Sequence, residues 1–419
     1  MAEITRRIGL SLGADICWPT CYQEIMKRLD LSIPMNGDRI RFEVARMGIE
    51  PFDLREHVPF DVVIDRLTHW YNPRREWIKK ATILDDVYVF NNPWSVQSME
   101  KLTTYVAMMR LGFPIPDTWL IPPKEYEDQV DLQVTLERYA RFFNLGEIGE
   151  KLGYPLFMKP YDGGAWKAVT KIDNEEELRK AYDGSGRNIM HLQQGVVPFE
   201  KYVRCIGLGP QTRLVSYDPE APLHDRYQMA KGFLEPEDAA LMRDMTLVIN
   251  AFFGWDFNSC EALLKGGTWY PIDYANPCPD SQVTSLHYHF PWLIKANIRW
   301  SVFTAATKKP LGQLTWRRYF KLIEEGMTFR EQLDRYLKIA HHRFETERFE
   351  DFCHQHLPHL DEVAHEFFAT QTARDAVHAK VKALYPEHEV EEFTGLFWER
   401  IQSSRSDEPP GNAQDVAVA

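Results

Sequence analysis

The chain has 419 residues, 44% hydrophobic and 26% charged, the balance of a folded protein of two or three domains at ~150 residues each. Its 49 basic and 61 acidic side chains leave a formal charge of −12 and no basic stripe, which argues against nucleic acid as a partner, because phosphate neutralisation supplies most of that affinity. No apolar run reaches the ~18 residues of a membrane helix; the N-terminal segment lacks a signal peptide's apolar core, and six scattered cysteines without a Cys-x-x-Cys pair suit reduced thiols and a cytoplasmic setting.

In chain order, residues 8–12 form an apolar run ending in Gly13-Ala14-Asp15, and Pro19 opens a helical pattern to Leu29. Residues 39–49, 61–67 and 88–90 read as strands, the last closed by Asn91-Asn92-Pro93. This alternation predicts an N-terminal α/β domain over 1–95 with a partly parallel sheet. A helix over 98–111 stops at Gly112 and the Pro114/Pro116 pair. Residues 122–150 read as an insertion. Strands follow at 156–159, 168–172, 189–193, 202–207 and 213–217, with a helix from Asn174 whose first turn is acidic, and a long helix over 236–253. Strands 259–264 and 268–274 are joined by Lys265-Gly266-Gly267. From Pro291 to about residue 401 the pattern is helical, and the polar, Pro/Gly-rich tail 402–419 is expected to be disordered. The fold class is α/β (α+β), with residues 96–290 as one unit and 291–401 as a helical extension.

Lys159 ends an apolar strand and is followed by Pro160, Tyr161, Asp162, Gly163 and Gly164. A lysine there needs an anionic partner, and a Gly-Gly loop lets backbone N–H groups close over phosphate oxygens; a surface lysine beside a hairpin turn is the plain alternative. Glu261 and Asp273 stand on the two strands of the expected hairpin, with Asn276 after them. Two carboxylates and an amide oxygen on neighbouring strands make a hard-oxygen site of the kind that holds Mg²⁺ against phosphates. Arg204, Arg213 and Arg226 are candidate cations for a transferring phosphoryl group, with surface ion pairs as the competing reading. Asp280-Ser281-Gln282 and His287-Tyr288-His289 follow the acidic hairpin and either line an acceptor site or form a turn with core aromatics. No G-x-x-x-x-G-K-[ST] phosphate loop occurs.

The order of these pieces resembles the ATP-grasp superfamily, in particular its glutathione synthetase-like carboxylate–amine ligases. The resemblance covers residues 88–282, opening with Phe90-Asn91-Asn92-Pro93, Met99-Glu100-Lys101 and Pro114-Ile115-Pro116-Asp117-Thr118. It implies an ATP-grasp fold behind an N-terminal pre-ATP-grasp domain. It implies that Lys101 and Lys159 contact ATP phosphates, that Asp162, Gly163 and Gly164 cover them, and that Gln193 and Gln194 stand at the adenine hinge. Glu261, Asp273 and Asn276 match the metal triad for Mg²⁺, with Mn²⁺ as an alternative, and Arg204 and Arg226 are the candidate catalytic cations. One departure stands out: Asp273-Tyr274-Ala275-Asn276 has one residue more than the family's carboxylate-x-Asn spacing, and a β-bulge would absorb it.

The implied activity is an ATP- and Mg²⁺-dependent ligation of a carboxylate to an amine through an acyl phosphate, releasing ADP and phosphate. Expected partners are a small-molecule carboxylate and amine, an amino acid or peptide, with no nucleic acid and no membrane; a homo-oligomer is compatible with the sequence. A kinase-like phosphotransferase and a non-catalytic nucleotide-binding scaffold are the alternatives.

Overall fold

Strands and helices alternate along the chain as the apolar runs and turn residues dictate. The strands are β1 (Glu3–Ser11), β2 (Ser32–Met35), β3 (Asp38–Arg46), β4 (Val62–Asp65), β5 (Tyr88–Phe90), β6 (Thr118–Ile121), β7 (Leu156–Pro160), β8 (Thr170–Ile172), β9 (Met190–Gln194), β10 (Lys201–Leu208), β11 (Gln211–Tyr217), β12 (Tyr227–Gln228), β13 (Phe257–Lys265) and β14 (Thr268–Asp273). The computed structural model describes residues 2–11, 13, 15–67, 71–96, 100–161, 169–230 and 232–404. Asp162, Gly163 and Gly164 lie outside these described residues, as does the tail from residue 405. The chain divides into two compact units, one of Met1–Gln97, Arg204–Ser259 and Pro277–Ala419, the other of Ser98–Val203 and Cys260–Asn276. Strands β10 and β13 each pass from one unit into the other.

In the larger unit, β1 to β5 form a sheet of order β2-β3-β1-β4-β5. Strands β3, β1, β4 and β5 run parallel, and β2 joins antiparallel. Val62, Val63 and Ile64 of β4 and all of β5 are buried, the continuous apolar pattern of a parallel strand covered on both faces. Helix Cys17–Leu29 buries Trp18, Cys21, Tyr22 and Ile25, spaced by three and four residues along one face. Helix Pro236–Phe253 takes the limits that its signals predict: Pro in the first turn, Glu237 and Asp238 beside it, and Gly254 at φ 72° after the last turn. From Phe290 on, every element among the described residues is helical. Helix Phe290–Thr307 is apolar nearly all round, so it is buried on all sides rather than along one stripe. The last helix, Val390–Ser403, runs two residues into the segment expected to be tail.

Asn91 pins the β5 end of this unit. Its side-chain oxygen accepts from the amides of Asp256 and Phe257, each at 2.7 Å, and its Nδ2 donates to the carbonyls of Phe257 (2.7 Å) and Pro277 (2.6 Å). A side chain only 4% exposed thus closes four backbone groups that would otherwise need water.

The smaller unit holds a four-stranded antiparallel sheet of order β6-β9-β7-β8. Helices Leu145–Leu152 and Glu175–Asp183 supply its cover through Leu145, Ile148, Leu152 and Leu178, packed on Leu156, Met158, Ile172, Met190 and Leu192. The end of segment 122–150, from Leu145 on, therefore belongs to the core, while helix Val130–Tyr139 buries no residue. The β13–β14 hairpin turns at Gly266 and Gly267, with φ of 58° and 74°. Two consecutive left-handed residues suit a two-residue hairpin turn, and glycine takes them without steric cost.

Candidate active site

Six of the residues singled out by sequence gather in the smaller unit: Lys101, Lys159, Gln193, Glu261, Asp273 and Asn276, with Gln194 on the same strand as Gln193. Arg204 and Arg226 belong to the larger unit.

The carboxylates are placed by the hairpin. Leu264 pairs with Trp269, Leu263 with Tyr270 and Ala262 with Pro271, but Glu261 pairs with Asp273. Ile272 is therefore an extra residue on β14, a β-bulge between two ordinary pairs. Without it Glu261 would stand opposite Ile272 and Asp273 would turn to the other face, because successive side chains alternate. The bulge lies before Asp273, not after it. The extra residue between Asp273 and Asn276 therefore stays, and Asn276 Nδ2 lies 3.4 Å from Asp273 Oδ1.

Helix Lys101–Arg110 docks on this bulge. The Tyr105 hydroxyl donates to the Ile272 carbonyl at 2.9 Å, and the Tyr274 hydroxyl donates to the Thr104 carbonyl at 3.2 Å. The Tyr105 and Tyr274 rings meet edge to face with centroids 5.7 Å apart. One turn N-terminal to Tyr105, Lys101 is buried with its ammonium 3.4 Å from Asp273 Oδ2. Its backbone N–H donates to the Tyr161 carbonyl at 3.1 Å, which ties the helix start to the chain just beyond β7. The Tyr202 hydroxyl donates to Glu261 Oε2.

Across the four-stranded sheet, Lys159 donates to Gln193 Oε1 at 2.8 Å, and Gln193 Nε2 donates to the Thr118 hydroxyl at 2.8 Å. The Gln194 side chain is exposed while its backbone N–H donates to the Asp117 carbonyl at 2.9 Å. Lys159 pairs in register with His191, so the two side chains leave the sheet on the same face, with Gln193 two residues further along. Burial strips water from the Lys159 ammonium and pulls its pKa down to about 8; Lys101 adds to the fall, and Asp273 and Glu261 oppose it. The same burial, reinforced by Lys101 and Lys159, pushes the His191 imidazole down to about 4, so the ring is neutral. His191 is fully buried, packs against the Tyr105 ring at 5.8 Å, and neither ring nitrogen has a hydrogen-bond partner among the described residues.

In the larger unit, Arg204 is buried. Its guanidinium lies over the Tyr227 ring, 5.3 Å from the centroid, and donates to the Tyr227 hydroxyl and, at 3.0 Å, to Ser259 Oγ. Arg226 precedes Tyr227 and is partly exposed, with Nε donating to the Ala221 carbonyl at 3.1 Å. Arg213 donates to His289 Nδ1 at 3.2 Å.

Sequence reasoning missed Tyr105, Tyr202 and His191. The alternation of His191 with Gln193 along an otherwise apolar strand was a readable signal. The two tyrosines act through partners more than 50 residues away and carried none.

Chemically, two opposed carboxylates with a neighbouring amide form a hard-oxygen donor set, which fits Mg²⁺. Among the described residues no group of three His, Cys, Asp or Glu could hold a metal, so an ion here needs the amide oxygen or oxygens of a ligand beside Glu261 and Asp273. The two lysines beside them suit a polyanion.

No family model matches the chain. In sequence it is similar to the D-alanine–D-alanine ligase of Streptomyces griseus, 25% identical over 174 residues, which are 38% of this chain and 41% of that ligase. It is also similar to the D-alanine–D-alanine ligase of a Thermoanaerobacter species, 34% identical over 135 residues, 31% of this chain and 34% of the ligase. The chain thus spans less than half the length of these curated relatives. Among solved structures it is similar to a D-alanine–D-alanine ligase from Bacillus anthracis complexed with ATP, with a TM-score of 0.43 and 12% identity over 82% of this chain and 98% of that one. The paired carboxylates and the two lysines thus stand in a chain that is similar in sequence to D-alanine–D-alanine ligases over about a third of its length. Among the described residues no helix is long and apolar enough to cross a membrane.

Proposed function

We propose that the chain is an ATP-dependent ligase that joins a small carboxylate, an amino acid or peptide, to an amine in the cytoplasm. The observation that carries this reading is the direct opposition of Glu261 and Asp273, with Lys101 3.4 Å from Asp273 and Lys159 on the adjoining sheet. Carboxylates paired beside lysines are what a metal–polyphosphate complex needs, and the similarity to D-alanine–D-alanine ligases supports a carboxylate as the phosphoryl acceptor.

In this reading Glu261, Asp273 and Asn276 hold Mg²⁺, which would neutralise phosphate charge when bound. Lys101 and Lys159 neutralise the β- and γ-phosphates, and Asp162, Gly163 and Gly164 cover them. Gln193 and Gln194 flank the adenine. The substrate carboxylate oxygen attacks the γ-phosphorus and the bond to the β,γ-bridging oxygen breaks, releasing ADP. The amine then attacks the acyl carbon of the acyl phosphate, loses a proton and displaces inorganic phosphate. Arg204 and Arg226 supply positive charge to the phosphoryl group and the acyl oxygen. No nucleophilic side chain is required, since positioning and charge stabilisation carry the rate.

The test is a screen of D- and L-amino acids and small acids for phosphate release from Mg·ATP, followed by mass analysis of the product. Ligation gives ADP, phosphate and a product lighter by one water than its two substrates together. A phosphorylated product indicates a kinase instead and rejects the ligase reading; AMP with pyrophosphate indicates adenylation and rejects the acyl-phosphate route.

A further inference from the structure

The loop between β11 and β12 is short of regular structure, yet it is held from two sides. It closes on itself through Asp218 N–H to the Arg226 carbonyl at 3.0 Å and Asp225 N–H to the Pro222 carbonyl at 2.7 Å. Its next partners come from far along the chain. Arg400, in the last turn of helix Val390–Ser403, donates to the His224 carbonyl at 2.7 Å and to Asp225 Oδ1 at 2.5 Å. The Arg400 guanidinium beside Asp225 holds that carboxyl below its usual range. His287 Nδ1 accepts from the Tyr288 backbone N–H at 2.9 Å, which leaves Nε2 as the protonated nitrogen, and it donates to the same His224 carbonyl at 2.9 Å. His289 Nε2 lies 3.3 Å from the Gln228 carbonyl, at the far end of the loop.

The last helix is shaped for this contact. Phe393, Phe397 and Arg400 are spaced by four and three residues and share one face. Phe393 meets the His224 ring edge to face at 5.1 Å, and Phe397 stacks on the His287 ring at 6.0 Å with planes 9° apart. A surface arginine pairing with one carboxylate would need none of this. Here two donors from different elements converge on one loop carbonyl, beneath a stacked aromatic layer.

We infer that the last helix is a positioning element for phosphoryl and acyl transfer: with His287 and His289, Arg400 clamps the loop by its carbonyls and so sets where Arg226 stands. The inference rests on the role given to Arg226 under Proposed function. Arg400 is a positioning residue and touches no reacting atom.

Hydrogen exchange on the full-length chain tests the clamp without any ligand. Arg400→Met keeps the packing length and removes the donors; Arg400→Lys returns a cation to Asp225. Amides of residues 218–228 should exchange about tenfold faster in the Met variant and recover most of their protection in the Lys variant, while the last helix stays protected. Unchanged exchange in the loop, or an equal rise through the loop and the whole last helix, overturns the clamp. Phosphate release from Mg·ATP then tests the coupling. If Arg400 acts through Arg226, the Arg400→Met/Arg226→Ala double variant is no slower than Arg226→Ala alone, whereas multiplied losses overturn the inference. Normal release in Arg226→Ala, with loop exchange raised in Arg400→Met, supports the clamp and rejects the role of Arg226 instead.

Discussion

Glu261 and Asp273 face each other across the β13–β14 hairpin because one residue, Ile272, is squeezed out of register between them. A regular ladder would have set Ile272 opposite Glu261 and sent Asp273 to the opposite face. The bulge is not left to itself. Its carbonyl takes the Tyr105 hydroxyl, and Tyr105 sits one helical turn after Lys101. The same helix thus delivers a lysine to Asp273 and holds the backbone distortion that aims Asp273.

Tyr105→Phe removes that hydroxyl and keeps the ring. The expected loss of stability is about 1 kcal/mol, the net worth of one hydrogen bond. Binding of Mn²⁺ in the presence of ADP should fall by about tenfold, as for other groups that orient a metal ligand without touching the metal. Isothermal titration alongside a thermal melt measures both. A stability loss with unchanged metal binding would show that the bulge keeps its shape without Tyr105.

Glu261→Gln keeps an acceptor for the Tyr202 hydroxyl and removes the charge. The fold should persist, while metal-dependent ATP turnover drops by about a hundredfold or more, since the lysines supply no oxygen in its place. Near-normal turnover in Mg²⁺ would end the metal assignment. Asp273→Asn should behave alike, with the added loss of the Lys101 ion pair.

Lys159 gives a pH signature. Its pKa is pulled down to about 8, so near pH 8 about half the molecules carry it neutral. Bound phosphates favour the charged form and raise the pKa. Nucleotide binding near pH 8 should therefore take up about half a proton, and affinity should weaken as pH rises through 8. Calorimetry at pH 8 in two buffers of different ionisation enthalpy reads the uptake directly. Lys159→Met should abolish the difference between buffers; a wild-type protein with no buffer dependence contradicts the assignment.

Asn91→Ala strands two backbone N–H groups and two carbonyls in a site that is 4% exposed. A destabilisation of about 3 kcal/mol or more is expected, larger than for an average point substitution. Urea unfolding of the full chain checks it; a change under about 1 kcal/mol would mean that water or a shifted side chain replaces the amide.

Local signals located most of the elements and the candidate residues. The helix Pro236–Phe253 carries its own start and stop, the Gly266-Gly267 turn specifies a hairpin through backbone freedom alone, and β5 ends where Asn91 and Pro93 interrupt it. Lys159, Glu261 and Asp273 stood out because charged residues are costly inside apolar strands. These features depend on neighbours within a few positions, so they are written in the order of residues. The bulge at Ile272 is different: its carbonyl is held by Tyr105, 167 residues earlier. An extra residue was anticipated after Asp273, whereas the chain absorbs one before it, and no pattern within β14 distinguishes the two. The short edge strand β6 and the burial of Leu145, Ile148 and Leu152 were likewise hidden, since each follows from a partner that the chain meets only on folding. The residue types of the candidate site were legible in the sequence; their geometry follows from contacts between distant segments, whose energies no local sequence window contains.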